Sequence, residues 1–124
     1  MIFLNFKRFL RSFKFAFKGL AIVFREEQSF RVQIVALSVI LVFGALFKIK
    51  TWEWIALILV AASVLVLELV NSALERIIDY LKPRLHHYVE IVKDIMAGAV
   101  LVASIAAAAI GVIIFYPYFS QIVN

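Results

Sequence analysis

Glu68, Asn71, Glu75 and Asp79 form a polar stripe where a strongly apolar stretch of the sequence ends. Residues 54–67 carry no charge, and no Gly or Pro lies between residues 54 and 79, so one helix can carry both parts. At about 100° of rotation per helical residue, the four side chains fall at relative angles of about 0°, 300°, 340° and 20°. A helix that leaves a membrane here carries three acids and an amide on one face.

These residue types favour phosphoryl transfer at a membrane surface. An unpaired carboxylate in hydrocarbon costs several kcal/mol, so the acids need a cation, a proton or a polar partner. Carboxylate oxygens are ligands that Mg²⁺ prefers, basic side chains beside them suit a polyphosphate, and a glutamate can act as general base on a hydroxyl. The sequence has neither a Walker loop nor a kinase glycine-rich loop, so a nucleotide site would be of another type. Further candidates from other segments are Glu27, Lys93, Asp94, Arg8 and Arg11.

The composition places these residues in a membrane protein. Hydrophobic residues make up 65% of the 124 residues, against about 45–50% in soluble domains, and the length predicts a single domain over residues 1–124. The absence of Cys excludes disulfides and thiolate metal sites. The net charge of +5 is concentrated near the N-terminus, which we interpret as membrane orientation and contact with anionic lipid, not as nucleic-acid binding.

The hydrophobic pattern predicts an all-α membrane protein. Phe and Leu recur every three or four residues over residues 3–24, opposite a row of Lys and Arg, which predicts an amphipathic helix on the membrane surface. Three membrane spans are predicted, at about residues 31–48, 52–81 and 92–116, with a short amphipathic connection between the last two. The distribution of Lys and Arg predicts a cytoplasmic N-terminus, so that Glu27, the polar stripe and Lys93-Asp94 meet at the inner membrane surface.

Three other interpretations of the stripe remain open on the pattern alone. The polar groups can be structural and fix helix packing, with Arg76 pairing Asp79 one turn away. The chain can be a small transporter or channel, with Glu68 as a proton or cation site. It can also be a membrane-bound interaction protein without enzymatic activity, which predicts no consumption of ATP.

Two blocks of the sequence resemble signature elements of the prokaryotic diacylglycerol kinase family. Residues 68–79 follow the pattern E-x-x-N-[ST]-A-x-E-x-x-x-D, and residues 93–100 follow K-D-x-x-[AS]-[AG]-A-V at the family's spacing. F-K-G-L at 17–20 and E-Q-S-F-R at 27–31 look like the family's N-terminal elements. The resemblance covers nearly the whole chain. It implies a bacterial inner-membrane enzyme with a surface helix, three spans and a homotrimer whose active sites are shared between neighbouring subunits.

The resemblance also implies a role for each candidate residue. Glu68 matches the catalytic base that takes the proton from a lipid hydroxyl. Glu27 and Glu75 match the ligands of the Mg²⁺ that accompanies ATP. Arg8, Lys93 and Asp94 match positions that hold the nucleotide, while Asn71 and Asp79 match residues that shape the site.

Two departures from the family pattern affect the predicted nucleotide site. The choice of lipid substrate also stays open. Phe15 stands where some members have a nucleotide-contacting Tyr, so ring stacking is kept and the hydroxyl contact is lost. R-L-H at 84–86 stands where some members have E-Y-H, so His86 alone transfers as a nucleotide-binding residue. The family contains diacylglycerol kinases and undecaprenol kinases, and A-G-A at 97–99 with the segment 111–117 looks more like the undecaprenol branch.

Overall fold

The chain folds into helices alone over the residues that the structure describes, 5–81 and 86–124 of a computed structural model. They are α1 (Phe6–Glu26), α2 (Gln28–Phe47), α3 (Thr51–Leu81) and α4 (His86–Val123). The three helices after α1 are long and apolar enough to cross a membrane. The predicted all-α class, with three helices able to span a membrane by length and composition, is therefore confirmed.

The first helix is amphipathic and ends at a sharp break. Asn5 caps its start, where the side-chain oxygen accepts the backbone N–H of Arg8 at 3.2 Å. Its Phe-rich face is exposed, as a helix lying on a membrane requires. Glu27 has extended backbone angles, φ −110° and ψ 111°, and separates α1 from α2. Arg31 of α2 reaches back and donates hydrogen bonds to the last carbonyls of α1, at Phe24 (3.0 Å) and Arg25 (2.7 Å).

A tight turn joins α2 to α3. Lys48 adopts the left-handed conformation, with φ 52° and ψ 53°, and the following amide of Ile49 donates to the carbonyl of Gly44 at 3.2 Å, the Schellman pattern of a helix end. Gly44 lies directly against the ring of Trp54, where a Cβ atom would come within 2.7 Å of the indole. A side chain at position 44 would therefore push α2 away from α3.

A buried apolar core lies at the end of the bundle near this turn. Helices α3 and α4 pack along each other. A buried apolar cluster joins both helices to the turn, and it consists of Ile49, Leu57, Ile114 and Phe115. Glu53 is buried beside it and accepts hydrogen bonds from the backbone N–H of Lys50, at 2.9 Å, and from the hydroxyl of Tyr118.

The last helix is longer than the sequence pattern predicted. The predicted connection before residue 92 and the predicted span 92–116 form one helix, because residues 86–95 contain no Gly or Pro and their polar side chains can project outward. Pro117 lies inside this helix, which membrane helices tolerate. The predicted start of the first helix at residue 3 and the predicted stop at 82–84 lie outside the described residues.

Candidate functional site

The break between α1 and α2 is fixed to α3 by a row of three polar contacts. Arg76 donates to Glu26 at 2.5 Å, Ser72 donates to Glu27 at 3.2 Å, and Ser29 donates to Glu68. The three α3 residues are spaced four apart and therefore lie on one face of the helix. We call this row the polar ladder. It brings Glu27 against the helix that carries the acidic stripe.

Glu68 is the buried carboxylate of the ladder. Its side chain is held through both oxygens: Oε1 accepts the hydroxyl of Ser29, and Oε2 accepts the side-chain amide of Gln33 at 3.4 Å. The residue is only 5% exposed, so its position is set by these two partners on α2. Among the described residues, both hydrogen-bond donors of this carboxylate are neutral side chains.

An apolar groove begins beside this carboxylate. Gln33 contributes to its lining, and its side-chain carbonyl is buried without a hydrogen-bond partner in the part of the chain that the structure describes. The groove runs between α2, α3 and α4 and has a volume of about 490 Å³. Small residues of α4 keep it open, namely Ser104, Ala107, Ala108 and Gly111. A hydrocarbon chain fits such a surface better than any polar molecule does.

The remaining acids of the stripe bind an amide and a cation. Asn71 donates to Glu75 at 3.4 Å, and Lys93 of α4 donates to Asp79 at 3.0 Å. Lys93 also lies within electrostatic range of Glu75. The convergence of Lys93 with the stripe, which the sequence predicted from topology alone, therefore occurs within one protomer.

Glu27 and Glu75 are the two predicted ligands of a divalent cation. Each has one oxygen engaged by a neutral donor, Ser72 or Asn71, and Arg76 lies within electrostatic range of both. Among residues 5–81 and 86–124 no group of three or more acids, His or Cys is arranged to hold a metal ion by itself. Mg²⁺ does not require such a group, because it is commonly bound by one or two carboxylates, phosphate oxygens and water.

Several predicted nucleotide-binding residues stand apart from this cluster. Arg8 and Asp94 are exposed, and Phe15, 61% exposed, lies on α1 without packing on the stripe. The described contacts link none of the three to Glu68 or Glu75 within one protomer. His86 begins α4, but its side chain lies outside the described part of the chain.

The structure adds partners that the sequence interpretation had missed. Ser29, Gln33 and Ser72 bind the acids, and the only signal for Gln33 was its polarity within an apolar run. The alternative pairing of Arg76 with Asp79 is wrong, because Arg76 binds Glu26 of the preceding segment and Asp79 binds Lys93. Partners on other helices cannot be identified from the periodicity of α3.

Comparison with known proteins gives consistent matches over most of the chain. The family model described as "Prokaryotic diacylglycerol kinase" matches residues 14–115. The undecaprenol kinase of Bacillus subtilis is 33% identical over 110 residues, which are 89% of each chain. The diacylglycerol kinase of Synechocystis sp. is 32% identical over 109 residues, 87% of this chain and 62% of that protein. The diacylglycerol kinase of Escherichia coli (strain K12) is 27% identical over 115 residues, 93% of this chain and 94% of that one.

Proposed function

The chain belongs to the prokaryotic diacylglycerol kinase family and is a membrane lipid kinase, and we propose that it transfers the γ-phosphate of Mg-ATP to the hydroxyl of undecaprenol or diacylglycerol. The observation that carries this proposal is the position of Glu68. The carboxylate is buried, is bound only by neutral donors among the described residues, and lies beside an apolar groove that suits a lipid chain.

Glu68 is the proposed catalytic base. It takes the proton of the lipid hydroxyl while that oxygen bonds to the γ-phosphorus, and the bond from the γ-phosphorus to the oxygen bridging it to the β-phosphate breaks, so that ADP leaves. The proton then passes from Glu68 to water. Ser29 and Gln33 hold the carboxylate in place for this step. Such positioning matters because a general base must lie within hydrogen-bond distance of the hydroxyl that it deprotonates.

Glu27 and Glu75 are the proposed ligands of the magnesium ion that accompanies ATP. Mg²⁺, when bound, neutralises charge on the phosphates. Lys93 and Asp94 are proposed to position the phosphates, and Asn71 and Asp79 to shape the site: Asn71 orients Glu75, and Asp79 orients Lys93. Because Glu75 and Lys93 are already hydrogen-bonded to these two partners, little ordering is needed when the nucleotide binds.

Arg8, Phe15 and His86 are proposed to complete the nucleotide site from a neighbouring subunit of a homotrimer. The 61% exposure of Phe15 supports a shared site, because a neighbouring subunit could cover this ring. Mixed trimers test this: if Glu68→Gln and Arg8→Glu subunits are each inactive, mixing them restores part of the activity only when one site takes residues from two chains. No recovery contradicts sharing, and a monomeric mass by light scattering contradicts the trimer.

Undecaprenol is the preferred lipid in this proposal, with diacylglycerol as the second candidate. The undecaprenol kinase of Bacillus subtilis, 33% identical, supports this choice, as does the apolar groove between α2, α3 and α4. The location proposed is the bacterial cytoplasmic membrane with the N-terminus in the cytoplasm, which the basic charge of α1 supports.

One assay tests the function and the substrate together. Purified protein in lipid vesicles receives ATP labelled at the γ-phosphate, with undecaprenol or diacylglycerol in separate reactions. Labelled undecaprenyl phosphate at a higher kcat/KM than labelled phosphatidic acid is the expected result. The opposite ratio reverses the choice of lipid. Absence of both products, with folded protein, would leave a transporter or an interaction protein as the better interpretation.

A further inference from the structure

The ion pair between Glu26 and Arg76 is placed beside the proposed metal ligands, one residue away from each. Glu26 precedes Glu27, and Arg76 follows Glu75. The guanidinium of Arg76 binds Glu26 at 2.5 Å and also lies within electrostatic range of Glu27 and Glu75. One cation therefore has three acids within reach, and its hydrogen-bond partner among them is Glu26.

The exposure of the pair argues against a role in stability. The side chains of Arg76 and Glu26 are 46% and 57% exposed. Exposed ion pairs contribute little to folding, because water competes for both groups. Arg76 can therefore reorient at little cost, and the carboxylates next within range are those of Glu27 and Glu75.

We propose that Glu26 is a positioning residue that holds the Arg76 guanidinium away from Glu27 and Glu75, so that these two carboxylates stay available for the divalent cation of the nucleotide. The inference rests on the proposed function, since it takes Glu27 and Glu75 as the metal ligands. Without Glu26, the guanidinium would bind one of the two acids and compete with the metal ion. Arg76 competes with the metal ion for the two carboxylates unless it is bound to Glu26.

The proposal predicts changes of opposite sign for the two partners. Glu26→Gln frees Arg76 to bind the ligands, so the concentration of divalent cation at half-saturation rises by about three- to tenfold. Arg76→Gln removes the competitor and a repulsive charge, so this concentration falls by about two- to fivefold. The double variant behaves like Arg76→Gln, because Glu26 has no function once the guanidinium is gone.

Binding of Mn²⁺ to the full-length protein tests this without turnover. The protein in lipid vesicles is saturated with a non-hydrolysable ATP analogue, and bound Mn²⁺ is measured from the loss of the free-ion electron paramagnetic resonance signal. A Mg²⁺ titration of the kinase rate gives the second readout. Arg25→Gln is the matched control, since it removes the same charge one residue from Glu26. The Arg25 side chain donates to the carbonyl of Ala21 in its own helix, at 3.3 Å.

The outcomes separate the sequestration of Arg76 from the metal assignment. If the double variant returns to the wild-type value, the two charges act additively at long range and sequestration is refuted; equal shifts in Arg25→Gln and Arg76→Gln refute it as well. Glu75→Gln serves as the separate test of the metal site. If Glu75→Gln weakens Mn²⁺ binding but Glu26→Gln does not, the positioning role fails alone, whereas an unchanged Glu75→Gln removes the metal assignment itself.

Discussion

Replacement of Glu68 by Gln tests the catalytic base directly. The two side chains have nearly the same shape, so the groove and the packing of α3 are preserved. Gln keeps one carbonyl oxygen for the two donors that Glu68 now binds, Ser29 and Gln33. The hydroxyl of Ser29 can rotate to accept from the new amide, and the remaining carbonyl oxygen then accepts the amide of Gln33. Both contacts are kept as neutral hydrogen bonds, so the cost in folding free energy should be about 1 kcal/mol or less.

The catalytic effect should be larger than the structural one. A positioned general base contributes about 10²–10⁴ in rate, which corresponds to about 2.7–5.4 kcal/mol of transition-state stabilisation. We expect kcat of Glu68→Gln to fall by this factor, while the affinity for a non-hydrolysable ATP analogue stays within about threefold of wild type. The rate is measured as transfer of labelled phosphate to the lipid, and nucleotide affinity by calorimetry in the same vesicles.

Glu53→Gln is the matched control for this experiment. Glu53 lies on the same helix, is equally buried at 5% exposure, and also accepts two hydrogen bonds, from Lys50 and Tyr118. The change should lower the melting temperature without altering kcat per folded molecule. If Glu68→Gln keeps kcat within about tenfold of wild type, or if Glu53→Gln loses as much activity, Glu68 is not the base.

Three other predictions address the supports of the site. Gly44→Ala should lower the melting temperature by several degrees, because a Cβ atom there meets the indole ring at 2.7 Å. Gly111→Ala is the control and should not lower it, since nothing lies within 4 Å of a Cβ atom there. Equal melting temperatures for the two variants would contradict the close packing at Gly44. Lys93→Gln should raise KM for ATP at least tenfold and Asp79→Asn less, since Asp79 acts through Lys93; a larger effect of Asp79→Asn in steady-state kinetics would reverse the two roles. Charge reversal of three residues on the basic face of α1, Lys7, Arg11 and Lys14, should abolish the binding of a peptide of residues 5–27 to anionic vesicles. Binding to neutral vesicles should not change. Unchanged sedimentation with anionic vesicles would contradict the surface helix.

The fold could be predicted largely because each helix carries its own signal. Long apolar runs identified the three spans, and the alternation of Phe with Lys identified α1, since both patterns depend only on neighbours along one helix. The boundaries that failed were those of α4, predicted at 92 and 116 and observed at His86 and Val123. An amphipathic segment such as residues 86–92 can end a helix or extend one, and local composition does not distinguish the two.

The acids of the candidate site could be identified from the pattern within one helix. Their partners were missed because they lie on other helices. Glu68 and Glu75 share a face of α3 because of the helical repeat alone. Whether Glu68 is bound by a cation or by neutral donors depends on which residues of α2 come opposite, and that depends on the angle at the break near Glu27. One sequence without its homologues contains no direct record of that angle.

The break at Glu27 therefore determines both the geometry and the electrostatics of the site. Because α1 is amphipathic and α2 is apolar, a bend between them suits a helix at a membrane surface followed by one that crosses it. The bend places Glu26, Glu27 and Ser29 on successive turns of α3. It also pairs Arg76 with Glu26, which leaves neutral donors for Glu27 and Glu68. A continuous helix across this position would separate these contacts, since residues 26, 27 and 29 would then point in different directions. The polar ladder thus depends on the bend, and the proposed chemistry depends on the ladder.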